Sequence, residues 1–317
     1  MGFDALTLNC QDLIQLIKDC SGADAVGVTR ISPVSPEARR LYKSWLAEGR
    51  HGDMSYLERY QDVRDNPALL LEGARTIAVA AFSFANPEAV ETMHRYGNPL
   101  ISEYALGRDY HKEIRKRLKS AAHQLTTRYG GQTRICVDTA PLRERYWAVR
   151  AGLGFIGLNN YLIIPDAGAH FVLGSLLWTG QPDDLPDRDL APDCTPACGG
   201  CGKCLRACPT GALSPDGRLD VRRCLSYLTI ESYNSLPPDI NKGNRLFGCD
   251  TCRRVCPHQS ANIPQTAIEA FRARKELLEL THRDWLTMTP EQFDSLTAGT
   301  ALRRTTLAHI QSLLTKN

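Results

Sequence analysis

The chain has 317 residues, of which 43% are hydrophobic, with a formal net charge of +3 and 12 cysteines. That length predicts two domains of ordinary size, and the absence of any apolar run of about 18 residues excludes an evident membrane span. A charge this close to balance also excludes a uniformly basic surface, so any nucleic-acid contact must rest on local patches.

Residues 1–20 hold acidic side chains, no basic region ahead of an apolar stretch and no twin-arginine pair, so no export signal is expected. Within residues 9–20, Leu13, Ile14, Leu16 and Ile17 fall at helical spacing. Residues 25–31 (AVGVTRI) read as a short strand, and residues 41–57 as helix, glycine turn and helix. A turn at Pro67 then leads into a buried strand over residues 76–84. Residues 101–125 end in an amphipathic helix whose apolar face is Ile114, Leu118, Ala121, Ala122 and Leu125. Its other face carries Lys112, Arg115, Lys116, Arg117 and Lys119 against Glu113. Such a run is first a solvated face, and here also the best local candidate for meeting phosphates.

Residues 134–138 (RICVD) predict a strand ending at Asp138, with Pro141 placed to open a helix through residue 152. A glycine-rich loop and a strand follow in residues 152–165, then an apolar strand over residues 171–178. Gly152, Gly154 and Gly157 satisfy G-x-G-x-x-G, but the dinucleotide fingerprint needs a strand before it and a helix after it. The order here is reversed. The glycines are expected instead to let the backbone approach a large flat ligand or another strand. Residues 181–197, rich in Pro and Asp, read as a linker. Beyond the cysteine-rich region a helix is expected over residues 266–280, then a mostly helical tail with Arg303 and Arg304 near its end.

Residues 198–209 (CGGCGKCLRACP) hold Cys198, Cys201, Cys204 and Cys208 at C-x2-C-x2-C-x3-C-P spacing, the cluster-binding run of bacterial ferredoxins. Three thiolates on one tight loop can cap three irons of a cubane, while the fourth reaches a second cluster. Cys249, Cys252 and Cys256 repeat the tail of the run, Leu246 stands where the first ligand would be, and Cys224 is the substitute. Crossing the fourth ligands over gives Cys198, Cys201, Cys204 and Cys256 for one [4Fe–4S] cluster and Cys208, Cys224, Cys249 and Cys252 for the other. Zinc or disulfides are the alternatives, but zinc usually takes C-x2-C pairs separated by a spacer and has no reason to prefer two cysteine–proline endings. Cys10, Cys20, Cys136 and Cys194 fall outside this spacing and read as ordinary apolar or loop thiols. Thiolate clusters without an export signal predict a reducing cytoplasm.

Taken together and in order, HGDMSYLERY (51–60), ALGRDYHKEI (105–114), VDTAPLRERYWAVRAGLGFIGLNN (137–160), CLSYLTIE (224–231) and NRLFGCDTCRRVCP (244–257) resemble bacterial epoxyqueuosine reductases over nearly the whole chain. The resemblance implies an α/β (α+β) cobalamin-binding domain over residues 1–185, a ferredoxin-like two-cluster domain over 186–263 and a short helical segment over 264–317. It implies base-off cobalamin, reduction of epoxyqueuosine at the wobble position of a queuosine-type tRNA, and an external low-potential electron donor of flavodoxin or ferredoxin type. Asp138 would be the proton donor. Arg64, Ser102, Asn159, Leu162, Leu173 and Ser226, with Asp138, are the implied corrin contacts. No D-x-H-x-x-G histidine is present, in keeping with a cobalt that takes no histidine ligand. Two departures stand out: Leu158 occupies the position of the family's usual lysine before Asn159, and longer members carry a C-terminal helical-repeat extension, so a smaller tRNA surface is expected. Nothing in the sequence demands more than a monomer. A reductive dehalogenase and a plain electron-transfer module are the rival readings; the first is typically exported, and the second has no use for about 180 residues ahead of the clusters.

Overall fold

The computed structural model describes residues 8–188, 197–234, 236–259 and 263–315. Four strands form its central sheet: β1 (Ala25–Arg30), β2 (Thr76–Ser83), β3 (Thr133–Cys136) and β4 (Phe171–Trp178). Their order is β1-β2-β4-β3, and every neighbouring pair is antiparallel. All of β2 except its last residue is buried, because both faces of the sheet are covered. Ala78, Ala80 and Phe82 face a core shared with the helices Cys10–Ser21 and Tyr110–Tyr129. Ile77, Val79 and Ala81 face a second core, with Tyr146 and Trp147 from the helix Glu144–Arg150. The result is a three-layered mixed α/β unit.

The expected amphipathic face is the buried one: Ile114, Leu118, Ala121, Ala122 and Leu125 all lie inward. Each large aliphatic side chain on it contributes about 2 kcal/mol of burial. A Cβ at Gly174 of β4 would press on Ile114 and Leu118, so glycine there lets helix and sheet approach closely. Lys112, Arg115, Lys116 and Lys119 remain exposed, whereas Arg117 is tied to Glu113 and to the Ser21 carbonyl.

A third core joins residues 89–106, 230–247 and 273–314. Leu100–Ile101 pairs in parallel with Arg245–Phe247. Around this pairing, Met93 and Leu106 meet Ile230, Leu246 and Phe247, and then Leu277, Trp285, Phe293, Leu302 and Ile310 of the C-terminal helices. The C-terminal segment therefore closes a core that earlier residues begin. The first part of the Pro/Asp-rich stretch is pinned as well: the Pro186 carbonyl accepts from Arg30 N–H, and the Asp184 carboxylate accepts from Cys10 N–H. Cys194 lies outside the described residues. Among the described residues, no helix is long and apolar enough to cross a membrane.

Several local expectations are corrected. Pro141 does not open a helix; the helix starts at Glu144, and residues 137–143 form a turn in which Asp138 has φ +46°. The expected helix over 266–280 is broken into a 3-10 turn, Glu269–Phe271, and a short helix, Lys275–Glu279. Long-range backbone bonds outcompete helix there: Arg108 N–H donates to the Ala270 carbonyl and Arg274 N–H to that of Leu106. The second helix expected within 41–57 is one 3-10 turn, Ser55–Leu57. The glycine-rich loop feeds a hairpin, Phe155–Ile156 with Leu162–Ile163. A Cβ at Gly154 would collide with the Ile163 carbonyl, so close approach to another strand is the reason for that glycine.

Candidate functional site

The cysteines gather in the two predicted quartets. Cys198, Cys201, Cys204 and Cys256 ring a small space closed by Gly157, Leu158 and His258. Cys208, Cys224, Cys249 and Cys252 form one wall of a cleft of about 400 Å³. None of these eight cysteines is in a disulfide. Among the described residues, no three Cys, His, Asp or Glu side chains close up as ligands of a single metal ion would. Four thiols lining one space can serve as the corners of a cluster.

The opposite wall of the cleft is the end of β4 and the hairpin, with Leu162, Phe171, Val172 and Leu173. Asn159, Asn160, Thr210, Ser226 and Thr251 add polar atoms at its margin. A mostly apolar floor with a few convergent polar groups is the usual form of a cofactor site. Asn159 is itself buried and fixed, donating to the Cys252 carbonyl (3.2 Å) and accepting from Tyr161 N–H (3.2 Å). Of the seven residues implied as corrin contacts, the structure brings Asn159, Leu162, Leu173 and Ser226 to the cleft wall. Arg64 is engaged elsewhere, donating to the carbonyls of Arg59 and Tyr56, and Ser102 is buried and donates to Asp250. Leu158, the departure from the family pattern, packs beside Cys198 and Cys204 in an apolar cluster.

Asp138 does not itself line this cleft but is bonded to Glu144, which does. Its backbone N–H donates to Oε1 of Glu144 (2.9 Å), and its Oδ2 lies 2.9 Å from Nε2 of His111. The other nitrogen of that ring, Nδ1, is 2.6 Å from Oδ1 of Asp109, which also accepts His111 N–H. The His111 ring stacks on Tyr110, with centroids 4.2 Å apart. Tyr110 and Glu144 both line the cleft. Hydrogen bonds to the Asp109 and Asp138 carboxylates raise His111 to about 9, against the desolvation that would lower it. Glu144 keeps some solvent access, yet its carboxyl is crowded by protein; burial, then the Asp138 charge, pushes it up to about 8. Asp138 is not a helix cap, and its side chain is 53% exposed. Positive φ at a non-glycine residue is uncommon and concentrates at functional sites.

His111 and Glu144 were not singled out from the sequence. His111 sits in a basic helix 27 residues from Asp138, and only the fold joins them. The one local signal was the Asp109-x-His111 pair at the helix start, which reads equally well as a cap.

Beneath the cleft a buried ionic knot ties the cluster region to the α/β unit. Arg253, fully buried, donates to Glu103 (2.7 Å) and lies 3.2 Å from Asp250. Glu103 also accepts from Asn86 N–H (2.5 Å) and faces His170 at 3.2 Å. Burial alone would push Glu103 up; the His170 hydrogen bond, the Arg253 charge and Asn86 N–H outweigh it and hold the carboxyl at about 2.

Comparison with known proteins gives concordant matches. The family model described as epoxyqueuosine reductase QueG, DUF1730 matches residues 64–139, and that of a 4Fe-4S double cluster binding domain matches residues 197–259. An epoxyqueuosine reductase of Xanthomonas campestris is 37% identical over 293 residues, covering 90% of this chain and 79% of the relative. That of Escherichia coli K12 is 33% identical over 315 residues, covering 96% and 80%. A crystal structure of epoxyqueuosine reductase with an epoxyqueuosine-modified tRNA-Tyr stem loop superposes with a TM-score of 0.77 at 26% identity, covering 96% of this chain and 80% of that one. A Bacillus subtilis structure, in which a catalytic aspartate loop has swung out of the active site, also gives 0.77 at 26% identity, with the same coverage.

Proposed function

Because this chain belongs to the epoxyqueuosine reductase family, we propose that it reduces epoxyqueuosine to queuosine at the wobble position of tRNA, using base-off cobalamin in the cleft and two [4Fe–4S] clusters beside it. The observation that carries the reading is the cleft itself. The quartet Cys208, Cys224, Cys249 and Cys252 lines it together with the apolar start of β4, and Glu144, which accepts from Asp138 N–H, lines it too.

The residues present fit a corrinoid. Leu162 and Leu173 offer an apolar bed for a flat macrocycle, and Asn159 and Ser226 offer polar atoms for its rim. When bound, cobalamin supplies a low-valent cobalt centre for carbon–oxygen reduction, and the clusters relay electrons one at a time from an outside donor. That donor is of flavodoxin or ferredoxin type, and the compartment is the cytoplasm. The protein's own work is to exclude water from the cleft, orient the modified base and deliver protons. Opening an epoxide and expelling water consumes two electrons and two protons. Asp138 is assigned as the acid that protonates the epoxide oxygen, and we read its turn as the counterpart of the catalytic aspartate loop of the B. subtilis relative.

The test is Asp138→Asn. This variant should retain cluster absorption and corrinoid binding yet lose at least roughly 100-fold in turnover, the lower bound for general acid catalysis. Near wild-type turnover on epoxyqueuosine-containing tRNA would overturn the assignment.

A further inference from the structure

An acid at the position of Asp138 faces a difficulty. Its carboxyl lies half open to solvent, so a proton bound for the substrate needs a holder close at hand. The geometry points to where the proton rests instead. We propose that His111 is the proton store of this site, holding on Nε2 the proton that Asp138 passes to the substrate oxygen, with Asp109 fixing the ring. The proposal deepens the function above and rests on its assignment of Asp138.

The hydrogen-bond geometry carries it. Both ring nitrogens of His111 face carboxylate oxygens, at 2.6 Å and 2.9 Å. A neutral imidazole has one N–H and could donate to only one of them; the cation donates to both. Stacking on Tyr110 and the Asp109 bonds to ring and backbone leave the ring one orientation. The groups facing it are Asp109 and Tyr110 from its own helix start, Asp138 from the turn after β3 and Glu144 from the following helix. Lys112, the neighbouring cation, points to solvent. The raised value of His111, about 9, agrees with a ring that is charged at neutral pH.

The proton count closes as follows. As substrate covers Asp138 and water leaves, the charged pair loses solvation and the neutral pair is favoured, so the proton moves from Nε2 to Oδ2 along an existing hydrogen bond. Asp138 gives it to the epoxide oxygen as the carbon–oxygen bond breaks. The ring, 30% exposed, takes a second proton from solvent. That proton follows the same route and leaves with the hydroxyl as water. The two electrons come from the external donor already named. His111 thus acts through Asp138 and is a positioning residue that touches no substrate atom.

His111→Gln tests this, because glutamine can still donate to Asp138 but cannot be protonated. In the cluster-loaded enzyme the substitution should leave KM and tRNA affinity unchanged, and lower kcat roughly 10- to 100-fold at pH 7. Wild type should lose activity as pH rises through about 9, where the store empties, and the variant should lack that limb. A second measurement needs no variant: ring nitrogen shifts of labelled histidine, recorded on oxidised cluster-loaded protein, should show His111 doubly protonated at pH 7. Unchanged kcat with the alkaline limb intact, or a neutral His111 ring at pH 7, overturns the proposal. An active Asp138→Asn enzyme would instead overturn the assignment of Asp138, so the two failures are distinguishable.

Discussion

Replacing Glu103 by glutamine keeps the side chain's shape while removing the charge at the centre of the buried knot. Glu103 and Arg253 are 4% and 0% exposed, so little solvent screening applies. The carboxyl is held at about 2 against an ordinary 4.5, which at 1.36 kcal/mol per pH unit corresponds to roughly 3 kcal/mol. Breaking a buried ion pair by removing one partner costs about 3–5 kcal/mol, a separate route to the same size of effect. The sign follows from the lowered value: the stabilisation is complete above the unfolded value of 4.5 and is lost as pH falls through about 2. At pH 7 the Glu103→Gln protein should therefore melt earlier, by some 6 °C at roughly 2 °C per kcal/mol for a chain of this size. The assay is anaerobic thermal unfolding of cluster-loaded wild type and variant at matched scan rate. Repeating it at acid pH should shrink the gap between the two proteins, and taking that difference at each pH cancels any cluster loss common to both. A shift below about 2 °C at pH 7, or a gap that does not close in acid, would refute the reasoning.

Three further outcomes are expected. Fully reconstituted protein should carry about eight irons, Cys204→Ala should lose at least one cluster, and Cys194→Ala should lose none; about four irons in wild type would sink the two-cluster assignment. Reversing the charges of Arg115, Lys116 and Lys119, exposed on one helix, should weaken binding of a queuosine-type tRNA stem loop and flatten its salt dependence by a slope of up to about 3. The corrin spectrum should not change, and unaltered affinity would assign that helix to solvent alone. Gly154→Ala should destabilise the hairpin by at least about 2 kcal/mol, seen as a lower melting temperature, because the new methyl meets the Ile163 carbonyl.

Some of this site was legible before any coordinates. The grouping of the cysteines was, because it follows from a local spacing rule: the members of each expected set line one space, and their ligation of clusters belongs to the proposal. The apolar face of the helix Tyr110–Tyr129 was legible for the same reason, since 3.6-residue periodicity is read within one element. What escaped was non-local. The strand order, with β4 inserted between β2 and β3, depends on pairings up to about a hundred residues apart. The helix expected over 266–280 has good propensity, but backbone bonds to Leu106 and Arg108 break it. Pro141 was a sound helix-start signal that lost to the Asp138 N–H bond with Glu144. The neighbour that matters most to Asp138, His111, lies in another element, and no spacing rule connects them.

The central claim is that this chain removes the epoxide oxygen of epoxyqueuosine in tRNA. The most direct measurement is nucleoside mass spectrometry after anaerobic incubation of cluster-reconstituted protein with cobalamin, a low-potential reductant and epoxyqueuosine-containing tRNA. Conversion to queuosine, a loss of one oxygen atom, is expected and should depend on both added cobalamin and intact clusters. Unchanged epoxyqueuosine with protein shown to hold both cofactors, or equal conversion without cobalamin, would contradict it.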